Sequence, residues 1–193
     1  VAVEVPGKRG PSVVDADEEP SRIDFDRVGG LRPVFERDGT ITAANASTIA
    51  DGAAAVVVAS PAACARHGMR PRARILGTAS AGRAPVEFPV APIDAVRRVL
   101  ERTGLRTDDI DLYEINEAFA VVTLACMRGL DLDPERVNVH GGAVALGHPI
   151  GASGARVLVT LLHALEQRGL RRGLATLCLG GGEAIAMVID REV

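Results

Sequence analysis

From about residue 71 onward, short apolar runs alternate with stretches in which apolar residues recur every three or four positions. The short runs predict strands at 73–79, 110–115, 137–140, 174–179 and 184–189, and the last two are spaced to pair as a hairpin. The stretches with helical spacing predict helices at 92–103, 118–129 and 153–168. Gly104 and Gly169 follow two of these stretches, where glycine commonly ends a helix. The alternation predicts a layered α/β domain over residues 71–193.

Residues 1–70 follow a different pattern, and we expect them to form a separate unit. Residues 1–40 are rich in charge, proline and glycine, which predicts an extended, loop-rich region. The run from Ala53 to Ala59 is short, apolar and β-branched, which predicts a buried central strand. Residues 61–68 predict a short helix that ends at Gly68.

Composition narrows the class of protein. The chain has 193 residues, 47% of them hydrophobic and 24% charged, and a formal net charge of −3, so it lacks the basic character typical of nucleic-acid binding. Its longest apolar runs are too short to span a bilayer. The three cysteines are spaced for neither a disulfide framework nor a zinc site. With no signal-like segment at the start, these features predict a cytoplasmic chain without a metal site.

Three loops carry candidate chemistry, and the first begins at Asn116, directly after a predicted strand. Groups at strand ends are commonly used to bind ligands in α/β proteins. An asparagine there can donate a hydrogen bond, or hold a water, toward a carbonyl oxygen. The alternative is that Asn116 caps the helix that follows.

The second loop is the glycine-rich segment 141–154, which contains His148. Pro149 restrains the backbone of His148, and we expect Ser153 to cap the helix that follows. A nearby helix N-terminus disfavours an imidazolium, so a neutral, hydrogen-bonding imidazole is expected. The segment contains neither of the glycine patterns that bind nucleotide phosphates, which excludes that interpretation.

The third loop is Cys178-Leu-Gly-Gly-Gly182, at the end of a predicted strand. The backbone N–H groups of its glycines could stabilise an oxyanion, and a thiol beside such donors can act as a nucleophile or an acid/base. Cys64 and Cys126 are interpreted instead as small hydrophobic core residues, Cys126 in the middle of a helix.

Taken together, the three loops closely resemble the thiolase family of acyl-CoA acyltransferases. The matching motifs are Asn116-Glu-Ala-Phe119, Gly147-His-Pro-x-Gly-x-Ser-Gly154 and Cys178-x-Gly-Gly-Gly182, with Gly39-Thr-Ile-Thr-Ala-Ala-Asn-Ala-Ser47 and Asp51-Gly-Ala-Ala-Ala55 upstream. The resemblance covers nearly the whole chain but only the C-terminal half of a usual thiolase subunit. It implies a layered α-β-α-β-α fold, with residues 1–70 ending the loop domain and the N-terminal domain, and residues 71–193 forming the C-terminal domain.

The resemblance also implies a reaction, in which an acyl group moves between acyl-CoA and CoA by reversible Claisen condensation or thiolytic cleavage of a 3-ketoacyl-CoA. His148 would activate the nucleophile and form one oxyanion hole with a water held by Asn116. Cys178 would be the second acid/base, and the N–H of Gly180 would contribute to the other oxyanion hole. Ser47 and Phe119 would contact the CoA substrate. No cofactor is implied, because coenzyme A is itself a substrate.

One part of the family pattern is missing from this sequence. The acylated nucleophilic cysteine belongs to the N-terminal half, and neither Cys64 nor Cys126 lies in a loop resembling that site. The resemblance therefore implies a partner segment that supplies this cysteine, and a chain that is inactive alone and assembles into a homo-oligomer when complete. Phe88 departs from the loop typical of short-chain thiolases and leaves the acyl-chain length open. The alternative function is a non-catalytic, thiolase-like CoA-binding or scaffold subunit.

Overall fold

A four-stranded mixed sheet forms the centre of the molecule. The computed structural model describes residues 1–192, and the sheet has the order β3-β6-β5-β4. Its strands are β3 (Arg74–Gly82), β4 (Leu112–Ile115), β5 (Arg172–Leu179) and β6 (Glu183–Asp190). β5 and β6 form an antiparallel hairpin, while β4 runs parallel to β5 with Ile115 opposite Thr176. Two further strands, β1 (Val3–Val5) and β2 (Ser12–Val14), form a separate exposed hairpin.

Helices cover both faces of the central sheet. The described residues contain α1 (Glu19–Arg22), α2 (Phe25–Val28), α3 (Pro61–His67), α4 (Ala91–Thr103), α5 (Ala120–Leu130), α6 (Ala143–Leu146) and α7 (Ser153–Arg168). Buried side chains of α4 and α5 form one apolar cluster with the sheet, and those of α7 form a second cluster. Two helical layers around a sheet confirm the α/β class.

Successive side chains along β4 point to opposite faces of the sheet, so they contact different helices. Leu112 belongs to the cluster beneath α7, whereas Tyr113 and Ile115 belong to the cluster beneath α4 and α5. Glu114 therefore points toward α7, where it meets Arg156. β4 is buried along its whole length, so Glu114 carries a carboxyl group into the interior.

Most of the predicted elements are confirmed. All the predicted strands except 53–59 and 137–140 are present, and 174–179 and 184–189 do pair as a hairpin. The helices predicted at 61–68, 92–103, 118–129 and 153–168 are also present, within two residues of the predicted bounds. Gly68, Gly104 and Gly169 end three of them in the left-handed conformation that favours glycine.

Two predicted strands are wrong. Residues 53–59 form no strand, and Val57 and Val58 are 88% and 74% exposed, because none of the described residues pairs with this run. Residues 137–140 form only isolated bridges, one of them between Val137 and Tyr113. An apolar, β-branched run becomes a strand only where a neighbouring strand takes its hydrogen bonds.

The exposed apolar segment at 56–58 leads to a prediction about association. Apolar patches of this kind favour contact between molecules. We expect the isolated chain to self-associate, and the double variant Val57→Ser/Val58→Ser to reduce the associated fraction in sedimentation velocity. Val86→Ser is the matched control, because Val86 is an equally exposed valine in a different segment. A monodisperse unmodified chain would contradict this prediction.

Candidate active site

Asn116 and His148, which are 32 positions apart in the sequence, meet at the end of β4. The N–H of Asn116 donates to the carbonyl of Thr176 on β5 over 3.0 Å, which fixes its backbone to the sheet. Its side-chain Nδ2 lies 3.4 Å from Nε2 of His148. The Asn116 side chain is fully buried and does not cap α5, whose N-cap residue is Phe119. The capping interpretation is therefore excluded.

The backbone of His148 is held by the segment 48–50. Its N–H donates to the carbonyl of Thr48 over 2.7 Å, and a parallel bridge joins it to Ile49. The preceding residue, Gly147, has a φ of +91°, and a Cβ there would lie 2.5 Å from that of Ala50. Glycine is thus required both by conformation and by close approach.

The other ring nitrogen of His148 contacts Ser153. The distance from Nδ1 to the Ser153 Oγ is 2.6 Å, and the same hydroxyl donates to the carbonyl of Pro149 over 3.1 Å. The prediction that Ser153 caps α7 is wrong, because the N-cap residue is Ala152 and Ser153 lies within the first turn. Its hydroxyl points back to the histidine loop instead of to the N–H groups of the helix.

Burial keeps the imidazole neutral. Desolvation is the main cause that lowers the pKa of His148 below 6.5, and the positive charge of Arg156 lowers this pKa further. A neutral imidazole at neutral pH can accept a proton, which is what a general base must do.

Glu114, which is buried, and Arg156, which is half-buried, are two ionisable residues that the sequence analysis missed. Arg156 Nη1 lies 3.6 Å from Glu114 Oε2, and Arg156 Nη2 donates to Asn116 Oδ1 over 3.3 Å. Burial raises the pKa of Glu114 to about 8, although Arg156 opposes this rise. A charged residue in the middle of an otherwise apolar strand was the sequence signal that could have identified Glu114.

Asn138 ties the loops of the site together. It has a φ of +47°, and its side chain accepts from the N–H of Ile115 and donates to the carbonyl of the same residue. It also donates to Glu117, which accepts in turn from the N–H of Val144. The loop after β4 and the glycine-rich loop are therefore braced against each other.

Cys178 lies near the end of β5, opposite Ala184 of β6. Because β4 and β5 are parallel, Cys178 is two residues beyond the partner of Ile115 and so lies at the same edge of the sheet as Asn116. It is 8% exposed, and burial raises the pKa of its thiol. Within residues 1–192 it forms no hydrogen bond with His148 or Asn116.

The glycine segment after Cys178 forms a tight turn. The N–H of Gly182 donates to the carbonyl of Leu179, and the carbonyl of Gly182 accepts from the N–H of Arg83. Gly182 has a φ of +91°, and a Cβ there would lie 2.5 Å from the Arg83 carbonyl oxygen. Gly180 is exposed at the start of this turn.

The two residues expected to contact CoA lie on neighbouring segments. Ser47 donates through its hydroxyl to the carbonyl of Ala118 over 2.9 Å. The ring of Phe119 is near two other aromatic rings, with centroid distances of 5.7 Å to Phe35 and 6.2 Å to Phe88. Phe88 is thus adjacent to a residue of the Asn116–Phe119 motif.

The other two cysteines differ from Cys178. Cys126 is fully buried in α5, where desolvation raises its pKa to about 12 and leaves the thiol unreactive. Cys64 is half-buried on α3, a helix with no fully buried residue, so the expectation of a core position is wrong for Cys64. No group of three or more metal-ligating side chains occurs among residues 1–192, and no helix in that range is both long and apolar enough to cross a membrane.

Comparison with known proteins gives one consistent family. Residues 69–191 match the thiolase C-terminal domain, and residues 1–62 match the thiolase N-terminal domain. The chain is 51% identical over 192 residues to the mitochondrial acetyl-CoA acetyltransferase of Rattus norvegicus, covering 99% of this chain and 45% of the relative. It is 50% identical over 195 residues to the β-ketoadipyl-CoA thiolase of Pseudomonas aeruginosa, with coverages of 99% and 48%. The chain thus spans about half the length of these curated relatives.

Solved structures agree with the sequence comparison. The acetyl-CoA acetyltransferase of Bacillus anthracis superposes with a TM-score of 0.93 at 44% identity, covering 98% of this chain and 48% of that one. Human mitochondrial 3-ketoacyl-CoA thiolase in complex with CoA gives a TM-score of 0.86 at 38% identity, with coverages of 97% and 47%. The fold expected from the resemblance is therefore confirmed.

Proposed function

This chain belongs to the thiolase family, and we propose that it provides the acid/base half of a thiolase active site. The reaction is acyl transfer between acyl-CoA and CoA, by reversible Claisen condensation or thiolytic cleavage of a 3-ketoacyl-CoA. The nucleophilic cysteine comes from an N-terminal thiolase segment that is not part of this chain, so the chain alone is inactive. The complete enzyme is a homo-oligomer, and coenzyme A is a substrate rather than a cofactor.

The observation that carries this proposal is the contact between Asn116 and His148. A buried asparagine and a neutral histidine meet at a strand end, on a loop that the close approach of Gly147 to Ala50 holds in position. A CoA-binding scaffold has no need of a base whose pKa is lowered by burial. The site therefore favours the catalytic interpretation over the scaffold one.

In the proposed mechanism, Nε2 of His148 takes the proton of the nucleophilic thiol. The resulting thiolate attacks the 3-keto carbon of the substrate, and the carbon–carbon bond breaks to leave the acyl-enzyme and the enolate of acetyl-CoA. The thiol of Cys178 gives its proton to the carbon of that enolate, and the Cys178 thiolate then takes the proton of free CoA. The CoA thiolate attacks the acyl-enzyme, which releases the new acyl-CoA and the thiolate of the nucleophile, and this thiolate takes its proton back from His148.

The pKa shifts of His148 and Cys178 suit their roles as proton acceptor and proton donor. The pKa of His148 is lowered, so it is unprotonated and ready to accept. The pKa of Cys178 is raised, so it rests as a thiol and is ready to donate. Asn116 holds a water toward the thioester oxygen, and the N–H of Gly180 donates to the second oxyanion. Ser47 and Phe119 contact the CoA, and Phe88 beside Phe119 contributes to acyl-chain preference.

The test is thiolysis of acetoacetyl-CoA and of a longer 3-ketoacyl-CoA, followed for the chain alone and together with the stretch encoded upstream of it. Activity only in the combined sample supports the proposal, and the better substrate identifies the chain length. If the combined sample is inactive but retains CoA binding, the scaffold function replaces the catalytic one.

The lowered pKa of His148 predicts a pH dependence. A base with a pKa below 6.5 remains unprotonated down to lower pH than an ordinary histidine. We therefore expect kcat/KM for thiolysis by the combined enzyme to stay level near neutral pH and to fall only below pH 6.5. Stopped-flow measurements in a constant-ionic-strength buffer series check this, and an acid limb above that value would refute it.

A further inference from the structure

A continuous series of polar contacts runs from the buried strand β4, through the ring of His148, to the loop before α7. It passes through five side chains and ends on a main-chain carbonyl: Glu114, Arg156, Asn116, His148, Ser153 and Pro149. Asn116 and Ser153 are fully buried, and the side chains of Glu114 and Arg156 are 2% and 19% exposed. Water therefore has little access to Asn116 and Ser153, the two side chains that contact the half-buried ring of His148.

One end of the series fixes the orientation of the Asn116 amide. The guanidinium of Arg156 has only donors, so the atom 3.3 Å from it must be the acceptor Oδ1. The NH₂ group of Asn116 then faces Nε2 of His148, at 3.4 Å. Nε2 consequently has to be the acceptor, which puts the proton of the neutral ring on Nδ1.

The contacts of Ser153, at the other end of the series, independently require the proton on Nδ1. The Ser153 hydroxyl has one proton, and the carbonyl of Pro149 can only accept it. The same hydroxyl oxygen is then free to accept from Nδ1–H of His148, 2.6 Å away. Both ends thus require the same tautomer.

The opposite tautomer creates an unavoidable mismatch. With the proton on Nε2, either that N–H faces the NH₂ of Asn116, or the amide turns over and its NH₂ faces Arg156. A buried donor left without an acceptor disfavours this tautomer about fivefold or more. An imidazolium would meet the same mismatch at Nε2, which agrees with the lowered pKa of His148.

We propose that Ser153 and Arg156 are positioning residues that hold His148 in the tautomer protonated at Nδ1, so that Nε2 carries no proton. The buried carboxyl group of Glu114 lies 3.6 Å from Arg156 and helps to keep it in this position. The catalytic meaning of the inference rests on the proposed function, because His148 needs an unprotonated Nε2 only if it acts as a base there. The tautomer itself is measurable without any activity.

The experiment is ¹⁵N NMR of the chain labelled at its four histidines, recorded at pH 8. Two-bond ¹H–¹⁵N correlations distinguish protonated from unprotonated ring nitrogens, and the resonances of His148 are those lost in His148→Gln. If the chain associates, magic-angle spinning of the sedimented protein gives the same ¹⁵N shifts. We expect His148 to be protonated mainly at Nδ1, by a ratio of about fivefold or more, since a fivefold ratio corresponds to the roughly 1 kcal/mol that one mismatched donor costs at least. A histidine in water prefers the opposite tautomer.

Three variants distinguish residues that position the His148 ring from residues that only stabilise the fold. Ser153→Ala removes the acceptor of Nδ1–H, and Arg156→Gln replaces a donor-only group by an amide that can also accept, so each should lower the Nδ1–H to Nε2–H ratio several-fold. Arg156→Lys retains a donor-only cation and should restore the original ratio. Ser80→Ala, at an exposed serine on the edge strand β3, is the matched control and should change nothing.

Two results would overturn the inference. The first is a His148 ring protonated at Nε2 in the unmodified chain, and the second is an unchanged ratio in both Ser153→Ala and Arg156→Gln. Failure of the proposed function has a different signature, which is the Nδ1–H tautomer together with no thiolysis by the combined sample. The two hypotheses can therefore fail separately.

Discussion

Replacing His148 by glutamine is expected to lower kcat/KM for thiolysis about 10²- to 10⁴-fold, the range by which a positioned acid or base accelerates a reaction. Glutamine can still donate and accept hydrogen bonds, but it cannot take the proton of a thiol. The nucleophile would then attack only in the small fraction of molecules in which it ionises unaided. Steady-state rates of the combined enzyme measure this effect.

The matched control is His163→Gln, because His163 lies on α7, outside the site. The His163 side chain is 55% exposed and lies 4.0 Å from Glu166 at the surface of α7. This variant should retain nearly full activity. A similar loss of kcat/KM in both variants, or a loss below tenfold in His148→Gln, would show that His148 is not the general base.

The sequence predicted the parts of this fold that depend on local chemistry. Helix ends at Gly104 and Gly169 were predictable, because a left-handed residue after a helix strongly favours glycine. The hairpin of β5 and β6 was predictable, because two apolar runs separated by glycines have few other ways to pair. The positions of the Asn116 and His148 motifs in loops were also predictable, because each motif lies between a predicted strand and a predicted helix.

The errors came from interactions that local patterns do not contain. The run at 53–59 has the composition of a buried strand, but strand formation requires a partner that the described residues do not supply. Ser153 has the residue type and position of a helix cap, yet its hydroxyl is taken by His148 and Pro149. In both cases a contact between distant segments, or the lack of one, decided the outcome.

The network behind His148 was the least predictable part of the site. Arg156 looks in the sequence like one more charged residue on an amphipathic helix. Its role follows only from the packing of α7 against β4, which brings it to Glu114 and Asn116. The contact of Arg156 with Glu114 and Asn116 depends on strand register and on helix packing. Neither can be predicted from the spacing of residues in the sequence.

Replacing Cys178 by alanine is expected to cause a second large loss, about 10²- to 10⁴-fold in thiolysis, because the enolate of acetyl-CoA then has no positioned proton donor. The same variant should lose the exchange of the acetyl α-protons of acetyl-CoA with D₂O, a reaction that needs only this acid/base. Exchange followed by mass spectrometry separates the role of Cys178 from that of His148.

Cys126→Ala provides an unusually close control for this second prediction. Both thiols are buried in the same apolar cluster between the sheet and α5, so the two substitutions remove the same atoms from the same core. Cys126 lies in the middle of α5 rather than at the loop edge of the sheet, and its pKa of about 12 leaves it inert. We therefore expect Cys126→Ala to lower stability slightly and to leave exchange intact. Equal losses in the two variants would mean that Cys178 only fills space in the core, and the second acid/base would then have to be sought elsewhere.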